Sequence, residues 1–134
     1  MKRVSATPIL SSAEAVNIAI ASAAVVYSKA FKLAFGEYFS LSYKASSASS
    51  TPSIKIELEI AIKDVLPATE GSSDTNYVEP ENMADIEADL TTETWHIKSL
   101  SPATSVYGRL KITGSGTNPA DTILNAHLMK QEEF

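Results

Sequence analysis

The stretch PSIKIELEIAI, residues 52–62, carries the clearest structural signal in the sequence. Isoleucine or leucine occupies every second position from Ile54 to Ile62, and charged residues such as Lys55 and Glu57 stand between them. Successive side chains of a β-strand point to opposite faces of its sheet, so this alternation predicts a strand with one face in the core and the other toward solvent. We therefore expect a core built from strands.

The same alternation recurs along the chain. It predicts one strand in residues 37–46, strands within residues 84–102, and two strands joined by a loop in residues 106–129. Residues 13–35 are rich in alanine, but their alternating β-branched residues favour two strands there. A helix is the alternative for residues 82–91, which contain several good helix formers.

The alternation also assigns side chains to the core. Besides the isoleucines already named, these are Val16, Ile18, Ile20, Val25, Tyr27, Phe31, Leu33, Phe35, Phe39, Leu41, Tyr43, Ile86, Ala88, Leu90, Trp95, Ile97, Val106, Leu110, Ile112, Leu124, Ala126 and Leu128. Arg109 and Lys111 are expected to point outward. Polar runs predict loops at residues 46–52 and 66–76, the second exposed and mobile.

These elements predict an all-β chain, a single-domain antiparallel β-sandwich or jelly roll of about eight strands. Residues 25–134 are expected to form the sandwich, and residues 1–24 an N-terminal arm or first strand. The small, alternating residues of that arm could add a strand to a neighbouring subunit during assembly.

Composition limits the classes of function. A chain of 134 residues with 44% hydrophobic and 20% charged residues is typical of one folded domain. Its net charge of −5 disfavours nucleic acid and anionic membranes as partners. The lack of cysteine excludes disulfides and thiolate catalysis. Glu14 and Asn17 interrupt the only candidate signal peptide, so no export is expected.

The potential metal ligands do not form a dedicated site in the sequence. His96 and His127 have neither cysteine nor a third histidine near them, so zinc is not expected. An acidic group raises the possibility of calcium, which takes roughly six to eight oxygen ligands. Its members are Glu79, Glu81, Asp85, Glu87 and Asp89. Because it matches no dedicated calcium loop, we interpret it as the solvent-facing side of a strand.

The remaining candidate motifs also favour structural roles. GSGTNP, residues 114–119, lacks the ending of a phosphate loop and predicts a hairpin connection. Asp121 is expected to accept backbone N–H groups of that turn. The single tryptophan, Trp95, is assigned to the core rather than to a sugar-binding platform. No catalytic, cofactor-binding or metal-binding residue is predicted, and no enzymatic activity is expected.

Four stretches together resemble a group of small virion structural proteins of tailed bacteriophages and prophages. They are residues 27–47, 54–62, 77–81 and 94–134. The residues that anchor the resemblance are Tyr-Phe-Ser-Leu-Ser-Tyr at 38–43, Ser-Pro at 101–102, Tyr107 with Arg109, and Asn-Pro-Ala-Asp-Thr at 118–122. The N-terminal 25 residues lie outside the resemblance.

The resemblance implies a β-sandwich subunit of a virion, of capsid-decorating, fibre-base or tail-associated type, without an active site. It also implies a homo-oligomer that contacts the major capsid protein or other virion proteins. A capsid decoration subunit is therefore our leading expectation, with a tail or neck adaptor as an alternative.

A carbohydrate-binding adhesion module is a further alternative, with Trp95, Tyr107 or Tyr77 as its stacking platform. A glycoside hydrolase would need two carboxylates across a cleft, and the sequence indicates no such pair.

Overall fold

The computed structural model describes residues 2–8, 17–33, 36–81, 83–100 and 105–133. Within these ranges the chain forms eleven β-strands and no helix. The strands are β1 Lys2–Pro8, β2 Asn17–Ile20, β3 Val25–Tyr27, β4 Phe31–Lys32, β5 Gly36–Ser46, β6 Ile54–Ala61, β7 Tyr77–Val78, β8 Glu87–Leu90, β9 His96–Ser99, β10 Tyr107–Gly114 and β11 Thr122–Glu133.

The strands form two antiparallel sheets. Sheet A has the order β1-β11-β5-β9, and β2 also pairs with β11. Sheet B has the order β3-β10-β6-β7, with β4 paired to β10 and β8 paired to β6. The predicted all-β antiparallel class is confirmed. A helix was the alternative for residues 82–91, but the described part of this segment, residues 83–91, contains the strand β8.

The strand predicted from residues 52–62 lies at the centre of sheet B. Its register with β10 places Leu58 opposite Leu110 and Ile56 opposite Ile112. All four side chains are buried on the side that faces sheet A. Aliphatic pairs that meet across neighbouring strands stabilise a sheet and hold its register.

One cluster of buried side chains lies between the two sheets, so the fold is sandwich-like as predicted. Sheet A contributes Ile20, Leu41, Tyr43, Ala45, Leu124, Ala126 and Leu128. Sheet B and its flanking segments contribute Phe31, Leu33, Ile54, Ile56, Leu58, Ile86, Leu90, Leu110 and Ile112. Burying each large aliphatic side chain stabilises the folded chain by roughly 1.5–3 kcal/mol before entropy is counted.

Residues 25–33, predicted as one strand, form two short strands with Ser28 between them. The Ser28 N–H donates to the carbonyl of Leu110 at 2.9 Å, and the Ser28 hydroxyl accepts the Leu110 N–H at 2.8 Å. A side-chain oxygen thus replaces a main-chain oxygen in the ladder.

Asn118 joins the two sheets where the chain passes from β10 to β11. Its side-chain amide donates to the carbonyl of Ile20 at 2.9 Å, and its Oδ1 accepts the Ser53 N–H and the Thr122 hydroxyl, each at 2.9 Å. Since β10 and β11 belong to different sheets, the predicted hairpin at residues 114–119 is wrong. The Asn118 bonds hold the chain in a crossing between sheets instead.

The N-terminal strands pair with the C-terminal strand of the same chain. In β1 the register runs from Lys2 opposite Glu133 to Pro8 opposite His127, and β2 pairs with the beginning of β11. Ile20 of β2 is fully buried in the core. The predicted use of residues 1–24 in assembly stays a prediction. Val16 and Phe35, also assigned to the core, lie outside the described residues.

Several predicted core positions are wrong, and some of these lie in sheet B or at its margin. Ile62 is 60% exposed because β6 ends at Ala61 and the chain leaves the sheet there. Val25 and Ala88 are also exposed. In β3 it is Val26 that packs against the core, so Val25 lies on the outer face, and Tyr27, also assigned to the core, lies there beside Arg109. Ala88 lies on β8, whose register with β6 is irregular. Alternation identifies two faces of a strand, but the end of a sheet or its margin can leave either face uncovered.

We expect Asn118→Ala to destabilise the fold by roughly 2–4 kcal/mol, because it removes three hydrogen bonds and leaves buried polar groups unpaired. Urea unfolding measures this change. The matched control is Asn125→Ala at a half-buried position of β11, with an expected effect of about 0.5 kcal/mol or less. Equal effects of the two substitutions would contradict the role assigned to Asn118.

Candidate binding surface

Trp95 and Ile97 lie on the protein surface, contrary to their predicted core positions. Trp95 is 54% exposed and Ile97 is 69% exposed. Ile97 pairs with Ser42, which stands between the buried Leu41 and Tyr43 on β5. Side chains alternate along a strand, so Ser42 and Ile97 point away from the core, onto the outer face of sheet A.

The alternation around β9 has the predicted period but the opposite phase. His96, not its neighbours, faces inward, where its ring stacks on Tyr43 with the centroids 5.4 Å apart. Its Nε2 lies 2.7 Å from the hydroxyl oxygen of Thr92. A packed ring with a hydrogen-bonded nitrogen gives His96 a structural role.

His127 lies on the outer face of sheet A, beside Trp95. It stands between the buried Ala126 and Leu128 on β11, and its ring centroid is 6.1 Å from that of Trp95. His96 and His127 therefore lie on opposite faces of one sheet, and the two imidazoles do not converge on a common metal ion.

We call the patch formed by Trp95, Ile97, His127, Ser42 and Lys44 the β9 surface. Lys44, like Ser42, alternates with buried residues of β5 and so belongs to the outer face. Among the described outer-face side chains of β5, β9 and β11 there is no carboxylate. The β9 surface combines an indole ring and an aliphatic side chain with hydroxyl, imidazole and ammonium groups. Such a mixture of apolar and polar groups is suited to binding another molecule.

The β9 surface ends at a strand edge. Within the described chain, β9 pairs with β5 on one side only. Lysines on edge strands often obstruct pairing with other chains, but the Lys98 ammonium donates to the carbonyl of Ile86 at 2.6 Å and so points back across the sandwich. A groove of about 150 Å³ lies there, lined by Lys98, Ile86, Met83, Asp85 and Leu100 among others.

Residues 62–76, which we call the covering loop, cover the part of the outer face of sheet B around Arg109 and Tyr77. Arg109 lies beneath the loop and is 1% exposed. Its Nε donates to Glu59 Oε1 at 2.8 Å and its Nη1 donates to the carbonyl of Ser72 at 2.6 Å. The ring centroids of Tyr27 and Tyr77 lie 4.1 and 4.8 Å from the guanidinium carbon. Arg109 points away from the core as predicted, but it and Glu59 are buried rather than solvated.

Three carboxylates meet beside β6. Oxygens of Glu57, Glu79 and Asp85 lie within 4.8 Å of one another, next to a cavity of about 10 Å³. The Lys55 ammonium is 3.6 Å from Glu57 Oε1 and 3.8 Å from Asp85 Oδ2. Three oxygen ligands could contact a hard cation such as calcium, but this lysine already supplies positive charge there. The geometry therefore supports an ion-pair cluster.

The other predicted acidic ligands have separate surroundings. Glu81 is exposed, Glu87 accepts a hydrogen bond from the Tyr43 hydroxyl, and Asp89 accepts one from the Ser53 hydroxyl at 2.7 Å. Burial, followed by the hydrogen bond to Glu87, raises the pKa of Tyr43 well above its usual range. Only Glu79 and Asp85 of the predicted acidic group come together.

Glu57 was not among the predicted ligands, because its position in the alternation indicated a solvated side chain. It is 6% exposed, since Glu79 and Asp85 lie over this part of β6. Burial raises the pKa of Glu57, and the hydrogen bond and negative charge of Glu79 raise it further. Lys55 and Lys111 act in the opposite direction.

Asp121 has a structural environment, but its partners differ from those expected. Its Oδ1 accepts the hydroxyls of Ser47 and Ser49 at 2.6 and 2.9 Å. These bonds to the carboxylate lower the pKa of Asp121. Of the other predicted sugar platforms, Tyr77 is 4% exposed beneath the covering loop and Tyr107 is half-buried.

The described residues contain no helix long and apolar enough to cross a membrane. In comparisons with known proteins, no family model, curated protein or solved structure matches this chain.

The pH dependence of stability tests the raised pKa of Glu57. The native protein binds this proton more tightly than the unfolded chain does. The contribution to stability is therefore present below the ordinary pKa of 4.5 and is lost as the pH rises through the higher folded-state value. We expect Glu57→Gln to be more stable than the original protein, by a margin that grows as the pH rises from about 4 to 7.

Urea unfolding at several pH values measures this margin. The lowest pH is the internal control, because a protonated glutamate and a glutamine are both neutral there. A difference between the two proteins that stays constant with pH would contradict the assignment.

Proposed function

We propose that this chain is a non-enzymatic structural subunit of a bacteriophage particle. Our leading proposal is a capsid decoration subunit that binds other virion proteins. The resemblance of residues 27–134 to such proteins supports the proposal, as does the sandwich-like all-β fold. The observation that carries it is the exposed pair of Trp95 and Ile97 on the open outer face of sheet A.

The two outer faces of the sandwich offer a partner different surfaces. The covering loop closes that of sheet B over Arg109 and its neighbours. The β9 surface has a half-exposed indole at its centre, and tryptophan is among the residues most enriched at energetically important points of protein interfaces. A protein partner would therefore gain the most binding free energy at the outer face of sheet A.

The size of the β9 surface bears on how it would bind. Trp95 and Ile97 expose on the order of 250 Å² of largely apolar area, worth roughly 6 kcal/mol before the costs of association. A stable interface buries about 800 Å² on each partner. Docking would therefore extend over the polar neighbours of these residues or be repeated in several linked copies. Repetition fits a homo-oligomeric subunit of a symmetric particle.

The residues that anchor the resemblance have structural environments. Asn118 joins the sheets, Arg109 lies under the covering loop, and Tyr43 packs in the core. Their arrangement maintains the fold and leaves the β9 surface free to bind. That division suits a subunit whose activity consists of contacts with other proteins.

The test is to replace the chain in its own genome with Trp95→Ala/Ile97→Ser and to count copies in purified particles by quantitative mass spectrometry. We expect at least about a tenfold loss of incorporation, since central interface residues carry most of the binding energy. Leu66→Ser is the matched control, because Leu66 is 55% exposed but lies in the covering loop.

Equal incorporation of the two variants would contradict docking through the β9 surface. Absence of the unmodified chain from particles would contradict the virion role altogether. The copy number separates the alternatives, because capsid decoration requires a number set by the symmetry of the shell, whereas a neck or tail adaptor forms a single ring.

A carbohydrate-binding module is the second candidate, and the exposure of Trp95 favours it. An exposed indole can stack on the apolar face of a sugar ring, and Ser42 and Lys44 of the same face could hydrogen-bond to its hydroxyls. The small apolar area would suit one or two sugar units without a larger interface.

A glycan array tests this candidate. Binding should be lost in Trp95→Ala and retained in Ile97→Ser, because only the first substitution removes the ring. An array without any bound glycan, or equal losses in the two variants, would contradict a sugar platform at Trp95.

A further inference from the structure

The covering loop is closed at its neck and holds its own shape. The Ile62 N–H donates to the carbonyl of Asn76 at 2.8 Å where the loop begins and ends. Inside the loop, the Asp74 carboxylate accepts the N–H groups of Ala68 and Asn76 at 2.9 and 2.8 Å. The bond from Ala68 is the largest cause of the lowered pKa of Asp74. Its internal bonds make the loop a unit that can move as a whole.

Few hydrogen bonds attach the covering loop to the structure beneath it. Among the described hydrogen bonds, two side-chain bonds connect them, from Arg109 Nη1 to Ser72 and from the Tyr77 hydroxyl to the carbonyl of Val65 at 2.9 Å. A main-chain bond from the Tyr77 N–H to the carbonyl of Asp74, at 3.1 Å, joins them where the loop ends. Most loop side chains are exposed, including Leu66 at 55%. Segments with few buried contacts open at a lower free-energy cost than the rest of a domain.

The surface under the loop does not need the loop for its own order. The guanidinium of Arg109 contacts the rings of Tyr27 and Tyr77, and its Nε donates to Glu59. Its Nη1 bonds to Ser72, whereas the buried Nη2 has no hydrogen-bond partner among the described residues. A buried donor without a partner weakens the closed arrangement.

A buried layer separate from the core lies on the outer face of sheet B. Ala61 and Tyr77 pair across β6 and β7, and they are 5% and 4% exposed. Neither belongs to the cluster of core side chains between the sheets. Opening the loop would therefore uncover this layer while the core stays closed.

We propose that the covering loop is a hinged strap, latched by Arg109 and Tyr77, that opens as a unit about its neck while both sheets remain folded. Opening uncovers the guanidinium of Arg109 and the ring of Tyr77, the two side chains that bond to the loop. The fold thus has a second surface that is concealed when the strap is closed. This inference does not depend on the proposed virion role.

Two single-cysteine reporters test the strap, because the chain has no cysteine of its own. Ala61→Cys places a thiol beside the neck of the covering loop, at a position that is 5% exposed and lines a cavity of about 390 Å³ with Ile62 and Ser105 among others. Ala126→Cys places one in the core, where Ala126 is fully buried. Labelling with a disulfide reagent under native conditions measures how often each site opens. We expect the thiol at position 61 to react at least about ten times faster than the one at position 126.

Latch variants then identify the residues that hold the loop. Tyr77→Phe removes only the hydroxyl, and Arg109→Met with Glu59→Gln replaces the buried ion pair by neutral side chains of similar size. Tyr77→Phe should speed labelling at position 61 about threefold, and the double variant should speed it about tenfold. Neither should change the labelling rate at position 126. Tyr27→Phe is the matched control, because it keeps the ring over Arg109 and no described hydrogen bond links its hydroxyl to the loop; it should leave both rates unchanged.

Two results would overturn the proposal. Equal labelling rates at positions 61 and 126 would mean that the site opens only when the whole domain unfolds. An unchanged rate at position 61 in Tyr77→Phe would mean that the hydroxyl does not latch the loop. Immediate labelling at position 126 would reveal a double variant that does not fold. In that case the labelling rates of Tyr77→Phe alone decide whether the loop is latched.

Discussion

The antiparallel register of β6 with β10 is the constraint on which the rest of the structure depends. It places Leu58 opposite Leu110 on the core side and Glu59 opposite Arg109 on the other. Side chains alternate, so a shift of one residue would move Arg109 into the core and Leu110 to the outside. Burying an unpaired guanidinium among aliphatic side chains is strongly unfavourable, and the register is therefore well determined.

This register also makes the two outer faces of the sandwich unequal. On sheet B, Arg109 gives the covering loop a hydrogen-bonding site, so the chain covers this part of the face with its own residues. On sheet A, the corresponding face keeps Trp95 and Ile97 exposed. The charge cluster around Glu57 also lies on the outer face of sheet B, where the Lys55 ammonium lies near the carboxylates of Glu57 and Asp85.

Much of the core could be predicted, whereas the binding surface could not. Ile56, Leu58 and Ile112 follow an alternation that requires no knowledge of their partners. Trp95 follows the same kind of pattern, yet it faces outward, because the pattern gives the period of a strand and not the face that the opposite sheet covers. Its large apolar ring made the core the natural expectation. The signal that would have corrected it is the pairing of β9 with Ser42 and its neighbours, which is a tertiary contact.

By itself, the sequence determined the all-β class, the antiparallel character of the sheets and most of the buried aliphatic residues. Alternation is a local property, and each strand carries it without reference to the others. Only the tertiary structure decided that Arg109 is buried, that Asn118 joins the two sheets and that Trp95 is exposed. These outcomes depend on which segments, far apart in the chain, come to lie against one another.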